Sequence, residues 1–168
     1  MEQTTEQTTQ PTMRILKAGT CNSLSGRSVL TYQVGCLPTD GDVAAMSTVH
    51  IRIQSNSGKG YYSKEWVSLQ AVQELFDKSA VENSASSACL NALFAGRSVN
   101  TAGFLLAVLK QEGLVANRGD KPRYYERLDA KGFYAELSKL ADTNLEQSPS
   151  EVPAKAASNK SRKATNTA

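Results

Sequence analysis

"FAGRSVNTAGFLLAVLKQEGLVANRGDKPRYYERL", Phe94–Leu128, decides the fold. Gly96 stops whatever precedes it, and Ser98 or Asn100 supplies an N-cap side chain. Apolar residues then recur at helical spacing until Gly113 ends the run. "LVANR" and "RYYERL" follow on either side of "GDKP", whose composition is that of a hairpin turn. The spacing predicts a helix over 98–112 and then a hairpin with a basic tip.

Working upstream, "SASSACLNALFAG" predicts a shorter helix with Cys89 or Leu90, Leu93 and Phe94 inward. "LQAVQELFDKSA" predicts another, behind an N-cap at Ser68, with Leu69, Val72, Leu75 and Phe76 on its buried stripe. Downstream, "DAKGFYAELSKLAD" predicts a closing helix carrying Phe133, Leu137 and Leu140 inward. The N-terminal half is written in a different period. Val49, Ile51 and Ile53 alternate with His50, Arg52 and Gln54, a strand with one wet face. "RSVLTYQVG" at Arg27–Gly35 and "YYSKEWV" at Tyr61–Val67 are further strands, and "MRILKAG" at Met13–Gly19 is an edge strand. "CLPTDGDVAAM" between them reads as a loop. The fold class expected is α+β, a small antiparallel sheet followed by a helical half.

The residues "LNALFAGRSVNTAGFLLAVLKQEGLV" and "ANRGDKPRYYERL" resemble the winged helix-turn-helix DNA-binding domains. The resemblance is one of topology, covers about residues 84–128, and extends to no family for the whole chain. It implies a DNA-binding protein, a transcriptional regulator in character, with a helix in the major groove and a wing on the backbone or minor groove. The organisation expected is a disordered tail over 1–12, a sheet region over 13–67, a winged-helix-like region over 68–141 and a disordered basic tail over 142–168. Both tails lack apolar residues to offset the entropy of ordering them.

Advancing about 100° per residue along the predicted helix gathers Ala102, Leu105, Val108 and Leu109 on one side. Asn100, Gly103, Ala107, Lys110 and Gln111 take the other. Small residues let a helix approach a groove, Asn and Gln pair with adenine edges, and Lys110 meets phosphate. Ser98, Asn100 and Thr101 offer hydroxyls, an amide and free N–H groups to a phosphate oxygen. Arg118, Lys121 and Arg123 on the wing, with Arg97 in the preceding turn, are further phosphate contacts. The expected partner is double-stranded DNA, with a homodimer built on the N-terminal sheet. The alternative is an adaptor that presents the same surface to a protein.

The charge is compatible with this reading. The chain carries a formal net charge of +3, and residues 13–141 hold 15 Lys and Arg against 11 Asp and Glu. Three cysteines without a C-x-x-C and no export signal point to a cytoplasmic protein. No run of apolar residues is long enough to span a membrane. No enzyme and no cofactor are expected. His50 is alone on a wet strand face, and Cys21, Cys36 and Cys89 make no zinc spacing, though Cys21 and Cys36 are candidate neighbours across the sheet. "GTCNSLSGRS" at Gly19–Ser28 has the wrong glycine spacing for a phosphate loop and reads as an ordered loop of unassigned use. "RGD" at Arg118–Asp120 reads as a chance match inside a turn, and Tyr61, Tyr62 and Trp66 read as sheet packing, with stacking on single-stranded bases the alternative.

Overall fold

The alternation at Val49, Ile51 and Ile53 builds the central strand of the N-terminal sheet, where all three side chains are buried. A computed structural model of the chain describes residues 12–38, 48–81, 85–94, 96 and 98–146. Strands β1 (Arg14–Asn22), β2 (Val29–Cys36), β3 (Val49–Asn56) and β4 (Val67–Ser68) pair antiparallel in that order. The register slips between Ile15 and Lys17, so that Leu16 is the extra residue of a bulge. The bulge turns both Leu16 and Lys17 towards the helices, while Ile15 stays on the outer face.

β4 is much shorter than the strand expected over Tyr61–Val67. The backbone of that segment is hydrogen-bonded elsewhere. The Ser63 N–H donates to the Thr101 hydroxyl at 2.9 Å, and the Tyr61 carbonyl accepts from the Ser98 hydroxyl. Strand-forming composition loses here to one contact with the helix that carries Thr101 and one with the residues just before it. Ser68 ends β4 and is also the residue directly before the first helix.

Helix α1 (Leu69–Val81) buries Leu69, Val72, Gln73 and Phe76, and Leu75 is only half-buried. The buried Gln73 donates to the Tyr134 hydroxyl at 3.5 Å. The second helical segment is a 3-10 helix, Ser87–Phe94, with Leu90 and Phe94 inward. Helix α2 (Asn100–Gln111) ends at Gly113, whose φ is 70°. Its N–H bonds to the Lys110 carbonyl and that of Leu114 to the Leu109 carbonyl, which satisfies the last turn. The hairpin follows as β5 (Val115–Arg118) and β6 (Lys121–Arg127), joined by the two-residue turn Gly119–Asp120. The Tyr125 N–H donates to the Ala85 carbonyl at 2.8 Å and ties β6 to the segment between the first two helices. Helix α3 starts behind Asp129, whose carboxylate accepts the Lys131 N–H, and runs over Lys131–Glu146, past the boundary expected at 142.

The sheet and the helices share one hydrophobic core. α2 runs through its centre, packed against β1, β3, the Ser87–Phe94 helix and β5. α3 lies against β1, and the Arg14 guanidinium donates to the Ala141 carbonyl at 2.5 Å. Cys21 and Cys36 are not neighbours: Cys21 pairs with Leu30 at one end of the β1–β2 ladder, and Cys36 with Arg14 at the other. The tails expected over 1–12 and 142–168 fall largely outside the described residues, as does most of the loop after Pro38.

Candidate nucleic-acid interface

α2 is buried on more sides than a surface helix. Thr101, Ala102, Leu105, Leu106, Ala107, Val108 and Leu109 are all covered. Two of these correct the sequence reading. Thr101 is 1% exposed and its hydroxyl holds the Ser63 N–H, so it is turned away from any ligand. Ala107 is 4% exposed, where helical projection had put it on the open arc. The arc that remains is Asn100, Gly103, Lys110 and Gln111.

That arc is the floor of a cleft. One wall is the β1–β2 turn, which the Ser23 N–H and the Ser28 carbonyl close at 2.9 Å and Gly26 bends at a φ of 69°. The other wall is the hairpin. A depression of about 510 Å³ is lined by Cys21–Leu24 on one side, Ala107, Lys110 and Gln111 below, and Asn117, Pro122 and Tyr125 opposite. Leu24 is shared with two adjoining depressions, one bordered by Arg123 and Tyr124, the other by Val99, Asn100 and Gly103. The Asn117 amide donates to the Pro122 carbonyl at 2.9 Å, which braces the hairpin wall.

The sequence-predicted residues divide across this geometry. Lys110, Gln111 and Arg123 line the cleft and are exposed. Ser98 and Asn100 stand at its α2 end, where the Ser98 hydroxyl accepts the Asn100 N–H at 3.3 Å. Lys121 is exposed on the hairpin, its ammonium 5.9 Å from the Tyr124 ring centre. Arg118 lies on the other side of the hairpin. It borders a depression shared with Phe76 and Asp77 and pairs with Asp120 at 3.7 Å. Arg97 lies outside the described residues. The sequence reading missed Asn22, Ser23, Leu24 and Tyr124. The signal for the first three is the Ser- and Gly-dense composition of Gly19–Ser28, which marks an ordered loop and not its neighbours.

Comparison with protein-family models, curated proteins and solved structures gives no match.

The electrostatics of the cleft have one sign. Lys110 and Arg123 are among the residues lining the three adjoining depressions, and among the described residues no Asp or Glu is. The nearest acid in sequence, Glu112, is withdrawn. Its carboxylate accepts from Lys17 at 2.9 Å and from the Tyr32 hydroxyl. Gly19 makes room for that contact, since a Cβ there would lie 2.5 Å from the Tyr32 oxygen. Burial pushes the Cys21 thiol up, and the Glu112 charge adds to the shift, so the cleft holds a protonated thiol at neutral pH. Among the described residues no His, Cys, Asp and Glu group has metal-binding spacing. Among the same residues no helix is long and apolar enough to cross a membrane.

Proposed function

We propose that this chain is a DNA-binding protein of winged-helix character, a regulator that works in the cytoplasm without catalysis. The cleft between the hairpin and the β1–β2 turn is the site of contact. The observation that carries the reading is the charge of that cleft: Lys110 faces into it and Arg123 into the depression that adjoins it, with no carboxylate among the described residues of the lining to oppose a phosphate. The order of α1, the Ser87–Phe94 helix, α2 and the hairpin supports the winged-helix part, as does the bond from Tyr125 to Ala85. Three free cysteines suit a reducing compartment.

Exposed Leu24 and Val99 at the cleft favour a second reading, a protein adaptor using the same surface. Salt separates the two. Labelled DNA, offered as a duplex and as separate strands, should bind with an affinity that falls steeply as salt rises, whereas an apolar protein interface responds little. Absence of binding at low salt would reject the DNA reading and leave the adaptor.

A further inference from the structure

If the chain binds nucleic acid in this cleft, the shape of the cleft says which form. We infer that it takes a single strand and not a duplex. A helix that reads a duplex enters a major groove about 12 Å wide and 8.5 Å deep, with its neighbours clear of the backbones. α2 does not project in this way. Its polar arc lies on a floor, with the β1–β2 turn rising on one side and the hairpin on the other. Ala107, at the middle of that floor, is 4% exposed. With lining residues on both sides of it, α2 is not free to enter a major groove as a projecting recognition helix does, and a single phosphodiester chain is the smaller occupant of the depression.

The rest of the lining suits a strand with unpaired bases. Such sites combine a cationic groove that tracks the backbone with aromatic faces on which bases stack. Here Lys110 and Arg123 are the cations, and Tyr124 stands beside Arg123 on the hairpin wall. At the other end of α2, Tyr61 is 91% exposed, next to the Ser98 and Asn100 side chains that bond its carbonyl. Gly103 keeps the floor open, because a Cβ built there meets nothing within 4 Å.

The same glycine provides the test. In G103W an indole is set into the depression beside Val99 and Asn100, and its Cβ meets nothing within 4 Å. The probe is a fluorescein-labelled, mixed-sequence DNA strand of about 12 nucleotides, compared by anisotropy with its duplex at low salt. The strand is expected to bind at least about tenfold more tightly than the duplex. G103W and Tyr124→Ala should each weaken strand binding by about tenfold, without the lowered thermal midpoint that would mark a damaged fold. A duplex bound as tightly as the strand would overturn the inference and leave the DNA-binding proposal standing. Strand binding that survives both substitutions would overturn the cleft as its site. Failure of both probes to bind would reject the proposal beneath it.

Discussion

Lys17 of β1 and Glu112, the residue after α2, lie 2.9 Å apart across the boundary between sheet and helices. The same ammonium meets Glu136 of α3 at 2.9 Å, and the Tyr32 hydroxyl donates to Glu112 from β2. The Glu112 side chain is 5% exposed, so its charge is held by these partners and not by water. Glu112→Ala strands the Tyr32 hydroxyl and removes one of the two carboxylates on Lys17. We expect a loss of about 2–3 kcal/mol, seen as a lower urea midpoint at unchanged slope. An unchanged midpoint would mean that the contact contributes nothing.

The same cluster sets the response to alkali. Burial opposes the charge on Lys17, but hydrogen bonds and attraction from Glu112 and Glu136 outweigh it and raise its pKa. Burial pushes the Tyr32 phenol up as well, with the bond to Glu112 and its charge adding to the shift. Both groups are therefore more firmly protonated in the folded chain than in the unfolded one. Their contribution is whole below the unfolded values and is lost as pH rises through the folded ones. Urea midpoints should fall from about pH 10 upward. Glu112→Gln should flatten that decline, and an equally steep decline in the variant would place the titration elsewhere.

Two glycines should answer oppositely to alanine. Gly113 has a φ of 70° and closes α2, so Gly113→Ala forces a side chain into the left-handed region. A loss of about 1 kcal/mol is expected. Gly103 lies in a helix with open space at its Cβ position, and Gly103→Ala should gain about 0.5–1 kcal/mol. Thermal melts of the two variants read both signs.

Thr101→Val keeps the shape of a buried side chain and leaves the Ser63 N–H without its acceptor. Stability should drop by about 1–2 kcal/mol, while affinity for DNA stays at the wild-type value. Weaker binding with an unchanged melt would return Thr101 to the interface.

The two hairpin arginines should separate in a salt titration. Arg123→Ala should lower affinity and reduce the slope of log affinity against log salt by about 1. Arg118 pairs with Asp120 and faces the α1 side, so Arg118→Ala should leave the slope alone. Equal effects would show that DNA wraps both faces of the hairpin.

Period and punctuation made α2 and the hairpin legible in advance, because Gly96, Gly113 and the Gly119–Asp120 turn are local signals. The strand at Val49–Ile53 was legible for the same reason. The errors arise where a contact comes from far along the chain. Tyr61–Trp66 has strand composition, but its backbone is bonded by Ser98 and Thr101. Helical projection divides α2 into an inner and an outer side and has no term for neighbours that close on it from several directions. Ala107 is misplaced on that account, and Thr101 because the first turn of a helix reads as open to a phosphate. The cleft itself joins Ser23 and Leu24 to Lys110 and Asn117, and no sequence window contains both walls.

The bond from Arg14 to Ala141 spans 127 positions, from the first strand to the last helix. On the ribosome β1 emerges early and α3 late, separated by on the order of ten seconds at ordinary rates of synthesis. Through that interval β1 can pair with β2 and pack on α2 but lacks α3. The nascent chain therefore carries a strand covered only in part until α3 is made, and in that state a second copy, or a chaperone, competes for the place that α3 will take.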